Sequence, residues 1–203
     1  MTSMLSPGFH DVPSGCVATV VTHLEMTARP EPRPVPESAE LEFVPLTADM
    51  DAYRDLFRRV GAEDWLWFSR LRMDDVELSA ILTDDGVDLF TLMRNGRPEA
   101  LLELDFRIAG ECELAFFGVT PALIGTGAGR RLMTHAIDIA WARPIQRFHL
   151  HTCTLDHPAA LAFYRRSGFT PIRQQIEIAP DPRLTGHLPK SAGPHVPIFD
   201  EHL

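Results

Sequence analysis

At 203 residues, with 45% hydrophobic and 23% charged side chains, the chain suits one domain with appendages rather than two domains, since domains run to roughly 100–200 residues. A net charge of −9, with Lys190 the single lysine and no basic run, excludes nucleic acid as a partner, because phosphate neutralisation dominates that affinity. Cys16, Cys112 and Cys153 lack Cys-x-x-Cys spacing, which excludes a disulfide framework and a cysteine zinc site; no apolar run reaches the roughly 20 residues that span a bilayer, so no membrane is involved and the expected location is cytoplasmic.

In chain order, residues 1–40 stand apart as a strand-like run from Val17 to Met26 followed by prolines at 30, 32, 34 and 36. Alternating prolines make a stiff, extended connector. The strand is expected to add to a sheet edge or to a second subunit, giving a homodimer; a partly ordered tail is the alternative. From Leu41 the pattern is regular: a strand to Leu46, helical spacing from Met50 to Val60, and a second helical stretch from Asp64 to about Leu82. Turn signals at Asp84-Asp85-Gly86 and Asn95-Gly96-Arg97 bracket a strand from Val87 to Met93, and Ala109-Gly110 separates strands 99–108 and 113–119. Leu132, Ala136, Ile139 and Ala140 then recur at helical spacing, and Pro144 closes that helix. A strand from Arg147 to Thr154, a short helix over 158–167 ended by Gly168, a strand from Phe169 to Ile178 and a proline-rich tail over 180–203 complete the chain.

The glycine cluster Gly125-Thr126-Gly127-Ala128-Gly129 follows a strand and opens a helix. There, unpaired backbone N–H groups and the helix dipole favour a phosphate. Two phosphate motifs fail on these residues. The dinucleotide fingerprint needs glycine where Arg130 or Leu132 stands, and no Gly-Lys-Ser/Thr triplet exists for a P-loop. A plain strand-to-helix turn remains open on the cluster alone.

The frame Ile124-Gly125-Thr126-Gly127-Ala128-Gly129 resembles the Gln/Arg-x-x-Gly-x-Gly/Ala signature of the GNAT superfamily of N-acetyltransferases, with Ile124 replacing a polar or basic residue. A second block, Leu155 to Phe169, resembles the family's Asn-x-x-Ala-x-x-x-Tyr-x-x-x-Gly-Phe segment; Ala160, Tyr164, Gly168 and Phe169 fit, and His157 replaces asparagine. The resemblance covers residues 41–179. It implies an α/β fold with a mixed, largely antiparallel central sheet flanked by helices. It also implies acetyl-CoA as co-substrate and acetyl transfer to a primary amine of a small molecule, with a protein or peptide amine, or a non-catalytic acyl-CoA-binding module, as alternatives.

By the same resemblance, the backbone of Phe117, Gly118 and Val119 pairs with the pantetheine arm. Residues 124–129 hold the pyrophosphate, helped by Arg130 or Arg131, and His157 and Ala160 lie beside the cofactor. Tyr164 protonates the departing thiolate and Glu113 is the candidate general base, with Glu111 behind it and core packing or salt bridging as the plain alternatives. Glu103, Asp105 and Arg107 alternate along one strand face, where two carboxylates suit a cationic amine or are simply solvated. Trp65, Trp67 and Phe68 fall in the region that covers the acceptor in this family. His149, His151 and Cys153 also alternate on one strand, a spacing that does not converge on one ion, so no metal is expected.

Overall fold

The computed structural model describes residues 5–33, 35 and 40–200; Pro34 and Pro36 of the connector lie outside them. Strands β1 (Cys16–Met26), β2 (Glu42–Pro45), β3 (Val87–Arg94), β4 (Arg97–Pro98), β5 (Ala100–Asp105), β6 (Glu111–Val119), β7 (Arg147–Cys153) and β8 (Thr170–Pro180) form one sheet. Their order is β2-β3-β5-β6-β7-β1-β8, with β4 on β3. Every pairing is antiparallel except β6 with β7. Helices α5 (Ala128–Ala142) and α6 (Ala160–Arg166) cover one face, while α1 (Met50–Phe57), α2 (Glu63–Trp65), α3 (Ser69–Arg72) and α4 (Asp75–Leu82) cover the other. This is the mixed, mainly antiparallel α/β architecture expected, and among the described residues no helix is long and apolar enough to cross a membrane.

The N-terminal strand departs from expectation. Instead of an edge, β1 takes an interior position, paired to β7 through Leu24↔Leu150 and Thr22↔Thr152 and to β8 through Val20↔Ile176. Its sequence explains the placement, because both of its faces are apolar: Leu24 and Met26 join the core under α5, and Val17 joins the core under α1. A strand buried on both faces belongs inside a sheet.

The second helical stretch is also corrected. Leu66 adopts φ 54 and ends α2 after three residues, and Met73 is extended, so the region 63–82 holds three short helices. Asp74 starts α4 through a reciprocal capping box with Glu77, a spacing legible in the sequence. Tertiary packing holds Leu66 in its left-handed conformation: it is buried against Gly193, whose N–H donates to the Glu63 carbonyl at 2.8 Å.

The C-terminal segment is an integral layer rather than a loose tail. Leu188 and Ala192 are buried in the core under α1. Arg183, buried with Asp181, donates to the Val196 carbonyl at 2.7 Å, so one ion pair fixes two turns of chain.

Candidate functional site

The parallel ladder between β6 and β7 spans only Glu111–Glu113 against Arg147–His149. On the other side of β6, the register with β5 shifts between Glu103 and Leu104, an irregularity that bends and twists a strand. Beyond it, Phe117, Gly118 and Val119 pair with Leu102, Leu101 and Ala100 on one edge and leave the β7 ladder on the other. Backbone groups without a ladder partner must be satisfied elsewhere, and here they border a cleft of about 690 Å³.

One end of this cleft is the glycine turn. After a 3₁₀ turn over Pro121–Leu123, Gly125 and Gly127 take φ of 80° and 88°, left-handed values that side chains resist. Gly127 offers no side chain to cap α5, Thr126 Oγ1 accepts only the Ala128 N–H at 3.4 Å, and a β-carbon at Gly125, Gly127 or Gly129 would meet nothing within 4 Å. The result is an open concavity at the N-terminus of a 15-residue helix, the setting in which first-turn N–H groups attract an anion. Ile124, Gly125, Gly127, Gly129 and Arg130 line the cleft. Thr126, Ala128 and Arg131 do not: Thr126 Oγ1 donates to the Leu123 carbonyl at 2.8 Å, Ala128 is buried, and Arg131 is half-buried on α5.

At the other end lie His157, Ala160 and Tyr164. His157 Nδ1 accepts the Ala159 N–H at 3.0 Å, so the imidazole orients the turn into α6 as an asparagine side chain would. Burial pushes the Tyr164 phenol far up, with the Asp156 carboxylate adding to the shift, so Tyr164 keeps its proton throughout the working pH range.

The Leu155–Phe169 block and the glycine turn thus wall one cleft, and a family model described as "Acetyltransferase (GNAT) family" matches residues 50–169, well over half of the chain. The chain belongs to the GNAT acetyltransferase family. Relatives include a mycothiol acetyltransferase of Beutenbergia cavernae, 33% identical over 98 residues that make up 48% of this chain and 30% of the relative. A second, from Jonesia denitrificans, is 35% identical over 39% of this chain and 25% of its own length. The chain therefore spans well under half of the curated relatives it matches. Among solved structures, a GCN5-related N-acetyltransferase from Sphaerobacter thermophilus superposes with a TM-score of 0.57 at 14% identity, covering 80% of this chain and 51% of that one. A GNAT-family acetyltransferase from Novosphingobium aromaticivorans gives 0.53 at 17% identity over 82% and 67% of the two chains. Both share the fold.

Around this GNAT cleft, the remaining expected residues separate into three groups. Trp67 lines the cleft, its Nε1 donating to Asp156 Oδ1 at 2.8 Å. A β-carbon at Gly61 would stand 2.0 Å from its ring, so Gly61 is required for the indole to lie where it does, whereas one at Gly118 would first meet Val60 Cγ1 at 2.6 Å. Glu103 neither reaches the cleft nor meets solvent. It is fully buried, accepting the Tyr53 hydroxyl at 2.6 Å and the Arg70 guanidinium. The expected open carboxylate face is closed because α1 and α3 deliver Tyr53 and Arg70 over it. Arg70→Met would leave that carboxylate buried without its counter-charge and is expected to cost about 3–5 kcal/mol, read as a lowered urea midpoint. Asp105 binds the Arg107 backbone N–H at 2.9 Å and its guanidinium, away from the cleft.

Glu113 lies where the β6–β7 ladder ends, outside the cleft lining, with its Oε1 3.5 Å from His151 Nδ1. His151 holds the carboxyl below its usual range, and Glu113 in turn raises the imidazole. The signs follow by linkage. Glu113 stabilises the fold above the ordinary carboxyl range and loses that contribution as pH falls through its lowered value. His151 stabilises the fold below its ordinary value and loses that contribution as pH rises through its raised value. Glu113→Gln is expected to bring the His151 midpoint back down, measured by imidazole chemical shift against pH. His149 sits 3.3 Å from Glu111, and among the described residues no group of three such side chains is placed to hold a metal.

Two sets of lining residues had no signal in the motifs. Asp156 accepts from Trp67, from Thr152 Oγ1 at 2.6 Å and from the Cys153 N–H at 2.9 Å, so its carboxylate is locked at the cleft wall. Residues 29–33 of the connector also line the cleft, tied down by an Arg29–Asp138 ion pair and by Pro30 against Gly168. Asp156 stands inside the second block at a position the family segment does not specify, and nothing local indicates residues 29–33.

Proposed function

We propose that this GNAT chain transfers the acetyl group of acetyl-CoA to a primary amine of a small molecule, by direct attack with both substrates bound. One observation carries the reading: a single cleft runs from the uncapped N-terminus of α5, along the unladdered edge of β6, to Tyr164 and Trp67. The residues present suit coenzyme A. The open concavity at Gly125, Gly127 and Gly129 leaves room for a pyrophosphate against backbone N–H groups, with Arg130 beside it. Phe117, Gly118 and Val119 offer backbone donors and acceptors to a pantetheine amide, as an added strand would receive them. The catalytic unit proposed over 41–179 then takes β1, from residues 1–40, as an interior strand of its sheet and residues 180–203 as a packed layer.

Acetyl-CoA supplies an activated acyl group as its thioester. The Val119 N–H is positioned on the cleft edge to polarise an acyl oxygen, and Tyr164 offers its proton to a departing sulfur. Glu113, within the His151 pair, accepts the amine proton through water, since its side chain stands outside the cleft. Alignment of both substrates in one cleft contributes much of the acceleration. The naming of both relatives for mycothiol supports a small-molecule acceptor over a protein amine.

The test is thiol release from acetyl-CoA across a panel of small amines and amine-bearing peptides. Turnover with at least one small amine supports the reading. Turnover with peptides alone moves the acceptor to a protein, and calorimetric binding of acetyl-CoA with no turnover on any amine leaves an acyl-CoA-binding module.

A further inference from the structure

Strand β8 is an edge strand of 11 residues, and every residue from Thr170 to Ile178 is exposed. Long exposed edges invite pairing, and proteins usually blunt them with proline, bulges or inward-pointing charges. The register shift between His23 and Leu24 leaves Ile172, after Pro171, without a partner on β1; from Arg173 the ladder with β1 is regular, and no proline interrupts it before Pro180. Ile176 and Ile178 are each about half exposed on one face, and Val20, directly across from Ile176 on β1, is 38% exposed beside them; Ile172, at the register shift, is also about half exposed. The opposite face carries Arg173, Gln175 and Glu177. Among the described residues neither Arg173 nor Glu177 forms an ion pair; Arg173 reaches only the His23 imidazole at 3.4 Å.

The pattern is symmetric about Gln175. Arg173 and Glu177 stand two residues either side of it, and Ile172 and Ile178 three residues either side. A two-fold axis through Gln175 lays β8 antiparallel on a second β8, where residue i faces residue 350 − i. Arg173 then faces Glu177 of the partner subunit, and the contact occurs twice, as an isologous interface requires. At the two ends of the pairing Ile178 stands opposite the bulged Ile172 of the partner subunit, and between them Ile176 stands opposite Gln174 of the partner subunit. Slipping the register by one or two residues places Arg173 opposite Gln175, Ile176, Ile178 or Ala179 instead, so a single register pairs both charges. Directly opposed residues in antiparallel strands have β-carbons about 4.5–5.5 Å apart, close enough for such pairs to act.

We propose that β8 is the interface of a homodimer in which two copies pair their β8 strands antiparallel about Gln175, making one continuous sheet. This replaces an N-terminal strand exchanged between subunits: β1 is enclosed between β7 and β8, and its part is to seat the strand that pairs. The cleft lies at the β6–β7 split, on the far side of β1 from this edge, so the interface is independent of the acetyl-transfer reading.

Sedimentation equilibrium of the full chain tests it. The wild type is expected at twice the 22.7 kDa of one chain. Arg173→Glu and Glu177→Arg each create two like-charge contacts and are expected to sediment as monomers, while the double variant restores opposite charges and the dimer. An unchanged far-UV circular dichroism spectrum and a cooperative thermal transition in all three variants separate dissociation from unfolding, with the midpoint of the monomeric variants lowered by the loss of association. A monomeric wild type at its highest soluble concentration, a single variant that stays dimeric, or a folded double variant that stays monomeric would each overturn the proposal.

Discussion

Gly127→Ile is expected to abolish acetyl-CoA binding in calorimetry while leaving a folded protein. At φ 88 a β-branched residue costs roughly 1–2 kcal/mol of backbone strain, which in a chain of this size lowers the thermal midpoint by a few degrees, about 2–4 °C per kcal/mol. The effect on binding is larger and has a different origin. The position of the added side chain meets no protein atom within 4 Å, so it projects into the space left for the ligand. It also turns away the first-turn N–H groups that α5 leaves uncapped. Hydrogen bonds to a charged group contribute about 1.5–3 kcal/mol each, and the loss of two is a change of at least 100-fold in Kd. Ile124→Gln is the contrasting variant: Ile124 lines the cleft and is 48% exposed, so a polar side chain there removes no core packing and adds a donor. Its affinity is expected to equal or exceed that of the wild type. A Gly127→Ile protein that binds with unchanged heat would move the pyrophosphate away from this turn.

Different parts of this molecule were legible in the sequence to different degrees, and range along the chain explains the difference. The strands from Val87 to Val119, helix α5 and strand β7 follow from alternation, turn residues and a change of period, all of which act over a few residues. The glycine turn and the Leu155–Phe169 block were readable for the same reason, and the structure brings their residues to one cleft. The position of β1 was not, because its ladders join Leu24 to Leu150 and Val20 to Ile176, and no local pattern states which distant strands a two-faced apolar strand will enter. Glu103 illustrates a second limit. Period-2 alternation gives the face of a strand residue but not what covers that face, and Tyr53 and Arg70 arrive from 50 and 33 residues away. Leu66 is a third case: its left-handed backbone depends on packing against a segment near Gly193.

Tyr164→Phe is expected to lower kcat by roughly 10²–10⁴-fold, the range for loss of a positioned acid, with KM for acetyl-CoA little changed. The variant keeps the ring that packs near Phe117, Phe163 and Phe169, so stability and binding have little reason to move. The direction of the phenol's shift taken alone argues against an acid, since a raised value makes the proton harder to give up. The same burial acts on the acceptor of that proton, however. A thiolate leaving in a desolvated cleft is penalised as the phenolate is, and the gap between the two groups, ~8.5 for a cysteine-type thiol and ~10 for a phenol in water, is what governs the transfer. The neighbouring Asp156 carboxylate disfavours any anion on the phenol and on a sulfur close to it alike. Tyr164 therefore enters each turnover protonated at every workable pH, and the alkaline limb of a pH–rate profile is not expected to report its ionisation. A Tyr164→Phe enzyme with unaltered kcat would place the proton donor elsewhere, with water in the cleft as the remaining source.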